Sequence, residues 1–146
     1  MTSSKTKSKE AQYQVQLDKI EDIGNVKLGP TASHLLRSDP RHLGFLLSRY
    51  KFVAKMLSGK QSAIEIGCGD GTGMRVVLQE VNKVHGVDFD PVFIKWCREQ
   101  AEHEGLNCTF SENDITSQVP DGKYEAAYAL DFIEHIEQST ERDCLI

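Results

Sequence analysis

The sequence predicts an α/β domain built on an open parallel sheet with helices on both faces, preceded by a helical segment. Three observations predict it. After Lys60, short apolar runs alternate with helical stretches, an order that right-handed crossovers turn into a parallel sheet. The first run passes directly into a turn, AIEIGCGDGTG (63–73), with Gly67, Gly69, Gly71 and Gly73 at every second position. The second run closes on a carboxylate, Asp88, 21 residues beyond Gly67.

Taken in order, residues 1 to about 12 are polar, carry Lys5, Lys7 and Lys9, and read as a solvated, disordered tail without the apolar stretch of a secretory leader. Residues 13–60 form a helical cap segment. Within SDPRHLGFLLSRYKFVAKMLSGK a helix is expected, with Asp39 as N-cap, Pro40 in the first turn and Gly59 as the stop. Leu43, Leu46, Leu47, Tyr50, Val53, Ala54 and Leu57 keep to one face, which packs on the body. Phe45, Phe52 and Met56 fall on the opposite side, so a partner or lid covers them, or a preceding segment folds over them; the folded-over segment is the expectation.

Residues 61–146 are the α/β domain. Strands are expected near 62–66, 83–87, 108–111 and 124–130, with helices near 72–81 and 91–104, the second opened by Pro91 after Asp90. Ser139 or Thr140 has the character of a cap for one more helix, with only ERDCLI beyond it. The sheet is therefore expected to stop after its fourth strand, leaving an unguarded edge prone to self-association.

Composition bounds the function. The chain has 146 residues, 39% hydrophobic and 27% charged, the balance of one ordinary globular domain. No apolar run reaches the ~18 residues of a membrane span, and a cytoplasmic location is expected. Cys68, Cys97, Cys108 and Cys144 form no CxxC pair, so free buried thiols are expected rather than a zinc or redox motif. Residues 1–64 hold 11 Lys/Arg against 5 Asp/Glu, and residues 65–146 hold 6 against 17. That acidic second part argues against a general nucleic-acid binder.

A strand that turns into a helix through glycines lets a ligand approach bare backbone at the carboxyl edge of the sheet. A triphosphate loop would need GxxxxGK[ST], which is absent. A dinucleotide loop, GxGxxG, would need glycine where Thr72 or Met74 stands. Glu65, two residues before Gly67, disfavours pyrophosphate and suits a ligand carrying an ammonium and a sulfonium, as S-adenosyl-L-methionine does. Asp88 has the spacing of a ribose-binding carboxylate, which would serve NAD equally. Phe89 either lies on an adenine face or covers the start of the next helix. Asp114 in SENDITS either accepts from an adenine amino group or makes an Asx-turn. The fourth strand runs into DFIEHI, bringing Asp131, Glu134 and His135 past its carboxyl end.

Together these segments resemble the class I S-adenosylmethionine-dependent methyltransferases. EIGCGDGTG resembles that family's glycine motif, GVDFDP its second-strand motif, NDI its adenine loop, and ALDFIEHI the segment after its fourth strand. The resemblance covers about residues 60–138 and implies a Rossmann-like sheet. It also implies that Glu65, Gly67, Cys68, Gly69 and Gly71 surround the methionine part of S-adenosyl-L-methionine, Asp88 and Phe89 the ribose and adenine, Asp114 and Ile115 the adenine, and that Leu130 and Asp131 close the pocket. The family's seven-stranded sheet is matched only through its first four strands.

The implied reaction is methyl transfer to an unidentified, small-molecule acceptor, an in-line displacement in which alignment is the protein's main task. His135 is the candidate base, since an imidazole can take a proton near neutral pH, or it orients the local helix. The DxxEH cluster of Asp131, Glu134 and His135 resembles the metal-binding segment of small-RNA methyltransferases, but a structural use of these charges is expected and no metal. An NAD-binding oxidoreductase domain and a non-catalytic binding or assembly module are the competing readings.

Overall fold

The computed structural model describes residues 7–139. The four apolar runs form β1 (Ser62–Ile66), β2 (Lys83–Asp88), β3 (Cys108–Glu112) and β4 (Ala126–Ala129). All neighbours pair in parallel, in the order β3-β2-β1-β4. The expected open parallel sheet, Rossmann-like and flanked by helices, is present. The chain steps outward from β1 to β3 and then returns to the other side of β1, so the topological switch lies between β1 and β4, where open sheets of this kind place their crevice.

Register explains the core. Ala63 lies beside Val84 and Ala126, and Glu65 beside Gly86 and Tyr128, so these residues share one face of the sheet. That face packs on Tyr50, Val53, Met74, Val77, Ile94, Cys97 and Ala101. Phe110 can lie across it because a Cβ on Gly86 would come within 2.7 Å of its ring.

Five α-helices accompany the sheet: α1 (Ala11–Ile23), α2 (Pro30–Ser38), α3 (Pro40–Met56), α4 (Met74–Val77) and α5 (Pro91–Glu104). In α5 the expected opening at Asp90-Pro91 acts as read, and the stop at Gly105 is added by the structure. Asp90 accepts a hydrogen bond from the Val92 N–H at 2.8 Å, Pro91 occupies the first turn, and Gly105 ends the helix at φ +62°. Ile94, Cys97 and Ala101 make its buried stripe. Cys68 and Cys97 are buried and Cys108 half-buried, all as free thiols; Cys144 lies outside the described residues.

Several expectations need correction. α1 begins at Ala11, inside the stretch read as tail, and it buries none of its residues. Asp39 precedes α3, but its carboxylate makes no capping bond and instead pairs with Arg41 at 3.5 Å. The helix expected over 72–81 is α over Met74–Val77 only. Beyond it, Gln79 and Glu80 donate to Val76 and Val77, the tighter i→i−3 pattern of a helix end. β4 is shorter than the run 124–130. Among the described residues no preceding segment folds over Phe45, Phe52 and Met56, each of which is 66% exposed. The helix anticipated at Ser139 or Thr140 falls outside the described residues, apart from Ser139 itself, which is in a turn. Among the described residues no helix is long and apolar enough to cross a membrane.

α3 packs closely on the turn. A Cβ on Gly73 would run into the ring of buried Tyr50. Gly73 has φ −73°, which alanine tolerates, so Gly73→Ala should act by overpacking alone and cost ~1–3 kcal/mol. Urea unfolding should show a lower midpoint; an unchanged midpoint would contradict this packing.

Candidate functional site

The carboxyl ends of all four strands open into one cleft of about 1180 Å³. Of the residues picked out in the sequence, Gly67, Gly69, Asp88, Phe89, Asp114, Ile115, Asp131 and His135 stand in its wall. The opposite wall comes from the cap, with Thr31 and Leu35 from α2 and His42, Leu46 and Arg49 from α3. Glu65, Cys68, Gly71 and Leu130 are not in the wall.

The turn is held from below and open above. The N–H groups of Gly67 and Cys68 both donate to the Val87 carbonyl, at 2.9 and 3.0 Å. The Gly69 N–H donates to Asp88 Oδ2 at 2.9 Å, while Asp88 Oδ1 accepts from the Asp90 N–H at 3.0 Å. Gly67 and Gly69 have φ +71° and +52°, a region that favours glycine. A Cβ on Gly69 would meet nothing within 4 Å, so this position faces the open cleft. At Gly71 a Cβ would come within 3.0 Å of Cys97 Sγ. The alternating glycines therefore serve two needs, clearance toward the cleft at Gly69 and packing against the core at Gly71 and Gly73.

Glu65 corrects the sequence reading most. It was expected at the entrance, yet its side chain is 0% exposed, beneath the turn. Oε1 accepts from the Tyr50 hydroxyl at 2.6 Å and Oε2 from the Tyr128 hydroxyl at 3.1 Å. Burial pushes its pKa up to about 8, although the two phenol hydrogen bonds pull the other way. Burial and the adjoining Glu65 raise both tyrosines well above the usual phenol range. Cys68 is likewise inside, its thiol raised far out of the reactive range by hydrogen bonding with Cys97 and by burial. Leu130 packs against the core.

The other walls contain features the sequence did not disclose. The Asp114 carboxylate accepts from the Thr116 N–H at 2.9 Å and the Thr116 hydroxyl at 2.6 Å, which holds it below the usual carboxylate range. The Asx-turn reading thus describes its side chain in this structure. Beside it, Asn113 Oδ1, on a residue of the cleft wall, is buried and has no hydrogen-bond partner among the described residues. Asp131 adopts φ +50°, unusual for a residue with a side chain, and pairs with Arg49 of α3. Phe132 follows, its ring so close to Gly67 that a Cβ there would collide with it. His135 ends a 3₁₀ turn, Ile133–His135, at the cleft mouth. Asp131 is engaged by Arg49 rather than by the DxxEH cluster, and among the described residues no three metal-ligating side chains converge.

Because Glu65 holds its proton to a higher pH folded than unfolded, the folded state binds more protons between about 4.5 and about 8. Stability from this group is full at low pH and is lost as pH rises through that window. Glu65→Gln removes the titration, so the stability of wild type relative to this variant should fall between pH 5 and 8.5 in urea unfolding. A constant or growing difference would contradict the buried carboxyl.

The same arrangement recurs in known proteins. A family model described as a methyltransferase domain matches residues 63–145. A search of the curated proteins finds no match to the chain. Among solved structures, the chain is similar to the mitomycin 7-O-methyltransferase MmcR, with TM-score 0.59 and 22% identity over 85% of this chain and 39% of that one. It is also similar to the N-methyltransferase NodS from Bradyrhizobium japonicum WM9, with TM-score 0.59 and 12% identity over 70% of this chain and 54% of that one. The YcgJ protein from Bacillus subtilis gives TM-score 0.56 and 17% identity over 66% and 43%. At these identities the likeness is one of fold, and this chain spans only 39% to 54% of the length of the three. By its matched domain and its sheet, the chain belongs to the methyltransferase-domain family, within the class I S-adenosylmethionine-dependent methyltransferases.

Proposed function

We propose that this chain binds S-adenosyl-L-methionine in the cleft above the glycine turn and carries the donor half of a methyltransferase acting on a small-molecule acceptor. The observation that carries the reading is the charge of the cleft. Gly69 opens beside Asp88, Asp90 and Asp114, and the wall contains a single Lys or Arg among the described residues, Arg49, which is already paired with Asp131. A pyrophosphate there would face carboxylates on several sides, whereas a cationic, phosphate-free nucleoside would be attracted. The same observation disfavours NAD.

In this reading Gly67 and Gly69 flank the methionine part of the donor, Asp88 accepts from the ribose hydroxyls, and Phe89 and Ile115 hold the adenine between them. The unpartnered oxygen of Asn113 and the Asp114 loop take the adenine edge, while Asp131 and Phe132, backed by Leu130, close the far side. Glu65 acts from beneath, together with Cys68 and Gly71, by shaping the turn. When bound, the donor supplies an already activated methyl group. The chain's task is then to align it with the nucleophile, to exclude water, and, for a protonated nucleophile, to take a proton at His135.

The acceptor lies between the turn and the cap. A cleft of about 1180 Å³ exceeds the ~300–1,000 Å³ of a typical single-ligand pocket, leaving room beyond the donor. Residues 13–60 act as the cap and 61–146 as the donor domain. Among the described residues β4 pairs only with β1, so its outer edge offers a template for association between copies.

Calorimetry should show that S-adenosylhomocysteine binds and NADH does not. Asp88→Ala, which deletes a charged acceptor, should weaken binding roughly 10- to 100-fold. Binding of NADH with no response to S-adenosylhomocysteine would overturn the assignment. Small-angle scattering should show concentration-dependent association; a monodisperse monomer would contradict the edge reading.

A further inference from the structure

We propose that Asp70, within the glycine turn, is a positioning residue that fixes the cap helix α2 to the donor site, so that donor binding and docking of α2 stabilise each other. The coupling half of this inference rests on the donor reading above; the anchoring half does not.

The anchor arises because α2 lacks a cap of its own. It starts at Gly29-Pro30, where the N-cap residue has no side chain to offer, yet the first N–H groups of any helix need acceptors. Asp70, 38 residues away in sequence, supplies one: its Oδ2 accepts from the Ala32 N–H at 2.9 Å. Its other oxygen, Oδ1, accepts from the Thr72 N–H at 3.1 Å and so shapes the turn itself. Thr72 completes the link, its hydroxyl accepting from the Gly29 N–H at 3.3 Å. Residue 29 must be glycine for this approach, since a Cβ would collide with the Asp70 carboxyl.

One carboxylate therefore sets two things at once. On one side Asp70 is bonded next to Gly69, whose open position faces the donor cleft. On the other it holds Ala32, which is 1% exposed and sits beside Thr31, with Leu35 one turn further on; Thr31 and Leu35 form the cap side of the cleft. A ligand that orders residues 67–69 favours the turn geometry that caps α2, and by thermodynamic reciprocity a docked α2 favours the ligand. Asp70 thus sets the spacing between the donor turn and the cap wall where the acceptor would sit.

Amide hydrogen exchange of residues 30–38, with and without S-adenosylhomocysteine, tests this alongside calorimetry. In Asp70→Ala the α2 amides should lose at least tenfold in protection without ligand while those of β1 and β2 keep theirs, and affinity for S-adenosylhomocysteine should fall at least tenfold. Asp70→Asn keeps one acceptor oxygen for two N–H groups and should recover only part of the loss. Thr72→Val removes only the Gly29 bond and should give a smaller loss of α2 protection, which decides the anchor if Asp70→Ala does not fold. Unchanged α2 protection in the variants would overturn the anchor. Loss of α2 protection with unchanged affinity, and no ligand-induced protection of α2 in wild type, would overturn the coupling. If wild type binds no S-adenosylhomocysteine, the donor reading and the coupling both fall, while the ligand-free exchange still decides the anchor.

Discussion

The structure depends on one buried carboxyl. Glu65 ties α3 to the sheet through Tyr50 and adds a side-chain bond, through Tyr128, across the β1–β4 ladder in which the two residues are paired. A buried polar group is tolerable only when its bonds are made, and here both oxygens are satisfied by phenols that also contribute large apolar surfaces. Tyr50 then packs over Gly73, and the Tyr128 hydroxyl reaches back from the strand beyond the topological switch. The turn above rests on these side chains as well as on its own bonds, Gly71 N–H to the Cys68 carbonyl and Thr72 N–H to Asp70, while its cleft side at Gly69 stays bare.

That division of labour explains the glycines. Where the turn faces the cleft, glycine keeps the approach open; where it faces the core, glycine lets Cys97 and Tyr50 come close. Asp70, between them, faces neither cleft nor core but the cap. A second tie from the cap is the pairing of Arg49 with Asp131, a residue at positive φ whose neighbour Phe132 lies against Gly67. The cap is thus bound to both ends of the site, at the first strand's turn and beyond the fourth strand. The charged groups in the wall of the cleft between these ties are six carboxylates and one arginine, beside two histidines, and its chemistry follows from that sign.

Much of this was legible in the sequence. The strand 62–66 and the helix 91–104 are where apolar runs, Asp90 and Pro91 put them. Glu65 was misread for a reason that the sequence contains: strand side chains alternate, so Glu65 shares the face of Ala63, and that face is the core. What could not be read were long-range partners. Neither the Ala32 bond of Asp70 nor the pairing of Arg49 with Asp131, 82 residues apart, leaves a local pattern. α1 and α2 escaped individual recognition: α1 buries nothing, and α2 is only 9 residues long and buries only Ala32. Phe45, Phe52 and Met56 did form such a stripe, and they stay exposed because α2 packs elsewhere on α3.

The central claim is electrostatic: the cleft accepts a nucleoside that bears positive charge and rejects one that bears phosphate. Its most direct test is a comparison of three ligands sharing one adenosine, namely adenosine, S-adenosylmethionine and adenosine 5′-diphosphate, titrated at low salt by calorimetry. The account predicts that S-adenosylmethionine binds more tightly than adenosine and adenosine 5′-diphosphate more weakly. The reverse order, with the diphosphate tightest, would contradict it.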